Sequence, residues 1–377
     1  AWAEACATTC PSERHPMSEQ PSTEPRRAQI SGTGLIGGSV GLALKAQGWH
    51  VTGRDLLPEV EAAALERCAI DEVGVDLTAE VCFVALPVSS IAAAARELLD
   101  QADWVVTDVG SVKAPIVAAV DHPRFVGGHP MAGSEQEGVA GSVASMFEGA
   151  VWVLTPSAAT DPEAQALVHS VVASFGADVV TLDAKVHDRV VAMVSHVPHL
   201  TAATLMGQAA GRAVQSGQGP LLRLAAGGFR DMTRIAAGHP GIWPDICAEN
   251  QAAVVEVLDE LIGELIEVRG VVATGDRAAL LERLEGARQA RLNLPTTATR
   301  PDELVELRVG VPDRPGVLAA VTAMATQHEV NIYDIEIAHS AEGPRGVLIL
   351  LVDSGTVDTF VESLFADGYA VSQRALT

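Results

Sequence analysis

Positive charge is what this chain has least of. Twenty-five Lys and Arg residues face 48 Asp and Glu, for a formal net charge of −23. So acidic a surface repels polyanions and argues against nucleic acid or an anionic membrane as partner. An anionic small molecule would need a site where the scarce basic side chains are gathered. Cysteine is scarce too: the five, at 6, 10, 68, 82 and 247, are odd in number and lack metal-like pairing. Neither a disulfide framework nor a metal site is expected, and a reduced, cytoplasmic setting is the simplest fit. No stretch of 18 or more apolar residues runs free of charge, so no spanning helix is expected. Residues 1 to about 27 lack the apolar core of a signal peptide and read as a disordered leader, with Met17 a candidate natural start. Apolar residues are plentiful at 48% of 377, and a mean hydropathy of +0.24 fits two or three packed domains.

The richest local signal is Gly32-Thr33-Gly34-Leu35-Ile36-Gly37, which follows an apolar strand and opens a helix. Gly32, Gly34 and Gly37 keep the G-x-G-x-x-G spacing of a dinucleotide site. There the glycines provide a tight turn, close approach to a pyrophosphate and close helix–strand packing. The first N–H groups of the helix, from Leu35 and Ile36 onward, then face the phosphates. Asp55 lies 18 residues beyond Gly37, where a carboxylate reaches ribose hydroxyls; this favours NAD over NADP, against the neighbouring Arg54. Apolar strands at 81–87, 104–108, 151–155 and 176–182 alternate with helices. The expectation is an α/β Rossmann-type domain over 28–183 with a largely parallel sheet.

From Ala184 strands stop. Val254, Leu258, Leu261, Leu265 and Val268 make a helical stripe that Ile262 and Ile266 widen beyond what one neighbour covers. An all-α domain over 184–292 follows, its long helices packing inside a bundle or against a second subunit. Residues 293–302 read as a linker by their Thr and Pro content. The last stretch, 303–377, patterns as βαββαβ, a ferredoxin-like plan.

Several clusters carry chemistry. Asp108-Val109-Gly110-Ser111-Val112-Lys113 lies past a strand's carboxyl end, where ligands bind in such sheets. Ser111 can hold substrate or nicotinamide and Lys113 can supply charge, or Ser111 caps a helix and Lys113 is solvated. Gly127-Gly128-His129-Pro130 reads as a glycine-flanked loop with His129 a proton acceptor or a plain loop histidine. Ser195 and His199 share a helical face, and Pro198 should kink the helix there. His196 and His199 have no third ligand of fitting spacing, so no metal is expected. Arg230 and Arg234 stand four apart on one face, one suited to a carboxylate and the other to a structural pair with Asp231.

Taken together, these motifs resemble the prephenate dehydrogenase family, which includes arogenate and cyclohexadienyl dehydrogenases. The likeness covers about 28–292 and rests on the glycine run, Asp108 to Lys113, His129-Pro130-Met131-Ala132-Gly133, Ser195 to His199 and Phe229 to Ala236. It implies a homodimer joined through the helical domain. It also implies oxidative decarboxylation, with a hydride leaving the hydroxyl-bearing ring carbon as carbon dioxide departs and the ring becomes aromatic. On that resemblance His129 is the catalytic histidine that polarises the ring hydroxyl, and Ser111 sits near it. Arg234 binds a substrate carboxylate, Ser195 and His199 line the pocket, and Trp243 and Asp245 close it near the subunit boundary. Arg230 and Lys113 add positive charge. The last module resembles an ACT domain, with Asp313, Arg314, Pro315, Gly316 and Asn331 at its amino-acid site, implying feedback control or, without a ligand, a dimerisation role.

Three alternatives stay open. Arogenate could replace prephenate, with Glu135 or Glu137 favouring its ammonium. Another hydride-transfer enzyme, such as a hydroxyacid dehydrogenase, would need a catalytic lysine-on-helix pattern absent from Ser195–His199. A non-catalytic amino-acid sensor would use the last module alone.

Overall fold

The computed structural model describes residues 24–134, 136, 138–215, 224–293, 304–312, 314–339, 345–355 and 357–375. The first elements in chain order are β1 (Arg27–Ser31), α1 (Leu35–Ala46), β2 (His50–Arg54), α2 (Pro58–Glu66), β3 (Glu72–Val73) and β4 (Val81–Val84). There follow α3 (Val88–Gln101), β5 (Val105–Asp108), α4 (Ala114–Val120), β6 (Phe125–Pro130), β7 (Val151–Thr155), α5 (Pro162–Ser174) and β8 (Asp178–Thr181). The eight strands form one sheet in the order β3-β2-β1-β4-β5-β6-β7-β8. β1 pairs in parallel with β2 and β4, and β4, β5 and β6 continue in parallel. β7 turns antiparallel to β6. All four residues of β4 and all six of β6 are buried, as strands covered on both faces must be.

Contacts among the described residues begin at Arg26. Arg26 lays its guanidinium 4.0 Å over the Trp49 ring and bonds Glu80 at 2.7 Å, and Arg27 already belongs to β1. Aromatic packing fixes the far side of the sheet: the Trp152 ring lies 5.0 Å from Phe147, 6.0 Å from Phe175 and 6.4 Å from Phe83. Fully buried rings of this size dominate a core's energetics.

Two compact units result. One holds residues up to Leu86, Ser90–Gly110 and Ala119–Val179; the other holds Pro87–Ser89, Ser111–Ala118 and the chain from Val180 onward. Two short pieces of the earlier chain thus count with the later unit.

In the second unit come α6 (Ala184–Val191), a π-helical turn over Ala192–His196, α7 (Val197–Gln215), α8 (Gly227–Thr233), α9 (Trp243–Glu249), α10 (Gln251–Thr274) and α11 (Arg277–Leu292). The run Ala184–Arg212 is, by length and composition alone, long and apolar enough to cross a bilayer. It nevertheless buries His187, Asp188 and His196, polar groups bonded within the unit, as the central helix of a folded domain does. Pro198 lies inside a continuous helical run, where it removes the N–H bond to the preceding turn, yet Val197 onward is regular α-helix. The disturbance sits instead just upstream, in the π-turn that carries Ser195, so Ser195 and His199 do not keep simple α-helical spacing.

The stripe on α10 is only partly covered. Val254 and Val257 pack with Ala192 and Val197, while Ile262, Leu265 and Ile266 stay exposed, Ile266 at 61%. At the end of the chain, β9 (Leu304–Pro312), α12 (Val317–Gln327), β10 (Ile332–His339), β11 (Arg345–Asp353), α13 (Val357–Ala366) and β12 (Ala370–Ala375) realise the βαββαβ plan. Their sheet runs β10-β11-β9-β12, every pair antiparallel, around a core that includes Leu307, Leu350 and Phe360.

Candidate active site

The glycine turn passes a physical test for a ligand cradle. Gly32 sits at φ +91°, and a Cβ there would meet the Ala85 carbonyl oxygen at 2.2 Å. At Gly37 a Cβ would meet the Gly32 oxygen at 1.9 Å. Both are glycines because the turn and the helix leave no room. Gly34 differs: nothing lies within 4 Å of where its Cβ would be. It is the N-cap of α1, and no side chain caps that helix start. Open space over uncapped N–H groups is what a pyrophosphate uses.

Asp55, just past β2, accepts from the Thr33 N–H at 2.8 Å and from the Leu57 N–H at 3.2 Å. The carboxylate is thereby tied to the glycine turn. A carboxylate has about four lone-pair sites, so it retains capacity for ribose hydroxyls. Arg54 beside it is exposed.

His129 is not on a loop, as its glycine flanks suggest, but inside β6, opposite Val153 of β7. It is 9% exposed. Its neighbour Gly128 donates its N–H to Asp108 Oδ1 at 3.1 Å, and Asp108 Oδ2 accepts from the Gly110 N–H at 2.9 Å. Gly128 must be glycine, since a Cβ would stand 2.6 Å from the Asp108 carbonyl oxygen. Asp108 thus joins the strand of His129 to the end of β5. Sequence reasoning placed Asp108 in a motif but assigned it no part.

The remaining sequence-predicted residues stand on the second unit. Ser111 is half-buried and Lys113 wholly buried, which excludes a solvated lysine. The Lys113 and Ala114 N–H groups donate to Asp188 at 2.7 and 2.8 Å. His199 stacks on Trp243, with ring centroids 3.6 Å apart and planes at 11°, and burial lowers its pKa from the ordinary histidine value. His196 meets the same indole edge-on at 6.1 Å. Burial pushes His196 down to about 4; the Asp188 charge opposes that shift and His187 adds to it. His196 is therefore neutral near pH 7. Its Nδ1 lies 3.3 Å from Asn250 Nδ2, which also donates to the Asp188 carbonyl oxygen at 2.8 Å. Ser89 Oγ donates to Asp245 Oδ2 at 3.2 Å.

Arg230 and Arg234 do not share a regular helical face. α8 ends at Thr233, and Arg234 begins a 3-10 turn through Ala237. Both side chains are exposed, and Arg230 Nε donates to the Ala225 carbonyl at 3.2 Å. An apolar groove of about 610 Å³ runs along Met193, Val197, Met232, Ile235 and Leu261, with Glu260 and Glu264 at its margin. It includes none of the expected substrate residues. No cluster of metal-ligating side chains occurs among the described residues.

A glycine cradle in a mainly parallel sheet, with an acidic residue tied to it and a following helical unit, defines a dinucleotide-dependent oxidoreductase. Comparison with known proteins narrows the class. The prephenate dehydrogenase nucleotide-binding domain matches residues 40–181, and the prephenate dehydrogenase dimerization domain matches 183–286. The chain is 35% identical to a prephenate dehydrogenase of Bacillus subtilis over 337 residues, 85% of this chain and 90% of the relative. A crystal structure of prephenate dehydrogenase from A. aeolicus, in complex with hydroxyphenyl propionate and NAD+, matches at 29% identity. That match has a TM-score of 0.67 and covers 73% of this chain and all of that one. Synechocystis arogenate dehydrogenase matches at 30% identity and TM-score 0.62, over 70% of this chain and 98% of that one. The chain belongs to the prephenate dehydrogenase family.

Proposed function

We propose that this chain catalyses NAD-dependent oxidative decarboxylation of prephenate to 4-hydroxyphenylpyruvate in tyrosine biosynthesis. The observation that carries the reading is His129, held in β6 beside the clamped Gly128, in a chain whose two units both match the family. Gly32, Gly34, Leu35, Ile36 and Gly37 would hold the pyrophosphate, and Asp55 the adenosine ribose, which favours NAD over NADP. NAD, when bound, takes up the hydride.

The chain's own residues do the rest. His129 accepts a hydrogen bond from the ring hydroxyl, and this raises the electron density that expels the hydride from the same carbon. The carbon–carbon bond to the ring carboxylate then breaks, carbon dioxide leaves with that pair placed in the ring, and the phenol keeps the hydroxyl proton. Ser111 orients the hydroxyl. Arg234 binds a carboxylate as a planar fork, with Arg230 as further positive charge. Ser195, His199 and Trp243 line the substrate pocket. Lys113, being buried, contributes from within the protein and not as a surface charge.

The test is an assay of purified protein with prephenate and arogenate, each with NAD and NADP. Turnover of prephenate with NAD above the other pairs is expected. Turnover of arogenate alone would shift the assignment to the second reading, which the match to the Synechocystis enzyme favours. Glu135 and Glu137, the expected discriminators, lie outside the described residues.

The protein is read as a cytoplasmic homodimer, a setting that the free thiols of Cys68, Cys82 and Cys247 suit. The βαββαβ module is read as an amino-acid-binding regulatory domain. Gly316, at φ +89°, is the N-cap of α12, which no side chain caps. Arg314, Pro315 and Asn331 are exposed, and Asp313 lies outside the described residues. Calorimetry with each aromatic amino acid should detect heat with tyrosine; no heat with any of them leaves a dimerisation module.

A further inference from the structure

We infer that Asp188 is a positioning residue for Ser111. Both belong to the second unit. At the start of α4 two consecutive N–H groups have no helical partner by construction of the helix, and its first turn holds no acidic side chain. Asp188, 4% exposed, supplies both acceptors: Oδ1 to Lys113 N–H at 2.7 Å and Oδ2 to Ala114 N–H at 2.8 Å. The clasp spans 75 residues of sequence, so it is no local cap. It fastens the segment that begins with Ser111 to the helical run that carries Ser195 and His199.

Asp188 is itself held at both its carboxylate and its backbone carbonyl. The wholly buried His187 places Nδ1 2.8 Å from Asp188 Oδ1. Asn250, at the head of α10, donates to the Asp188 carbonyl and contacts His196 Nδ1. A buried carboxylate is costly unless donors surround it, and charge-assisted bonds of this kind are short and stiff. So much fixing is out of proportion to capping a seven-residue helix. It makes sense if the backbone two residues upstream of Lys113 must not move, because an ångström of misplacement can cost about 100-fold in rate.

This rests on Ser111 orienting the ring hydroxyl. The test is a double-mutant cycle with Asp188→Asn and Ser111→Ala, read as kcat and as KM for NAD. Asp188→Asn keeps the shape but turns an NH2 toward one of the two backbone donors. The expected result is a fall in kcat of about 10- to 100-fold with KM for NAD within about twofold. In the Ser111→Ala background the same change should cost little more, since the group it positions is already gone. Equal losses in both backgrounds would make Asp188 merely structural and overturn the inference alone. An unchanged kcat in Ser111→Ala would overturn the reading of Ser111 first, and this inference with it. Should Asp188→Asn not fold, amide exchange on the native protein decides: Lys113 and Ala114 should exchange as slowly as β4, and rapid exchange refutes the clasp.

Discussion

The two units spend their apolar residues differently. The first buries its large rings, Trp152, Phe83 and Phe147 being fully buried, and its exposed apolar side chains such as Leu56 and Leu77 are aliphatic. The second leaves Met193, Val194, Ile262, Leu265 and Ile266 in solvent on the central run and α10. Apolar surface gathered in this way marks a face that expects a partner, and the family domain matched there is a dimerization domain. The polar groups differ as well. In the first unit they clamp backbone near the glycine turn and His129. In the second they fasten helices to one another around His196 and Asp188. The first unit thus carries the dinucleotide cradle, and the second carries the matched dimerization domain with its exposed apolar face.

That division can be broken most sharply through catalysis. His129→Asn should lower kcat by about 10²- to 10⁴-fold, the range for losing a general acid–base group, with NAD affinity little changed. Arg234→Gln, on the other unit, should act on binding and raise KM for prephenate by about 10- to 100-fold, the loss of a charge-assisted bond worth roughly 1.5–3 kcal/mol. Steady-state kinetics of the two variants checks both. An unchanged turnover number for the first, or equal Michaelis constants for the second, would dissolve the assigned roles.

Packing gives a second contrast. Trp152→Ala should cost about 3–5 kcal/mol of stability, because it opens a cavity among Phe83, Phe147 and Phe175. Ile266→Glu should leave monomer folding within about 0.5 kcal/mol, as exposed substitutions do, yet shift the protein toward monomer. Chemical unfolding and sedimentation velocity measure the two. If Ile266→Glu sediments like the parent, the exposed stripe is not the contact between copies.

How far the sequence revealed this follows from how far apart the interacting groups lie. Gly32, Gly34 and Gly37 act on each other and on the next strand, and Asp55 folds back onto Thr33 from the adjacent strand end. Spacing alone encodes such contacts. The βαββαβ module was legible for the same reason, its strands alternating and its turns short. Asp188 was not, since its partners lie 75 residues upstream and 62 downstream, and nothing local separates it from a solvated acid. Lys113 was misjudged likewise, a lysine being exposed by default. His129 looked like a loop residue because three of the residues around it are glycine or proline, yet pairing with β7 makes that stretch a strand. Pro198 signalled an irregular helix, and the π-turn lies immediately before it.

The last test probes the helical unit's interior through pH, as a difference between two declines. Burial holds native His196 near 4, against about 6.5 for an unperturbed histidine. Above about pH 6.5 neither folded nor unfolded chain binds that proton, and the group contributes its full stability. Between about 6.5 and 4 the unfolded chain takes up the proton and the native chain does not, so stability falls as pH falls, by up to about 1.4 kcal/mol per pH unit. Below about 4 both forms are protonated and the slope from this group ends. Asp188 and His187 lie on the same run, and Asn250 and Trp243 approach from the following segments, none of them removed by His196→Asn. The asparagine oxygen can accept from Asn250 Nδ2 in place of the ring nitrogen, so packing and hydrogen bonding are largely kept while the titration is lost. Urea midpoints at pH 7, 5.5 and 4.5 should decline less steeply for His196→Asn than for the parent protein. Parallel declines would mean that the buried histidine carries no share of the acid sensitivity, and that the second unit's polar interior is no more exposed to acid than the first unit's apolar one.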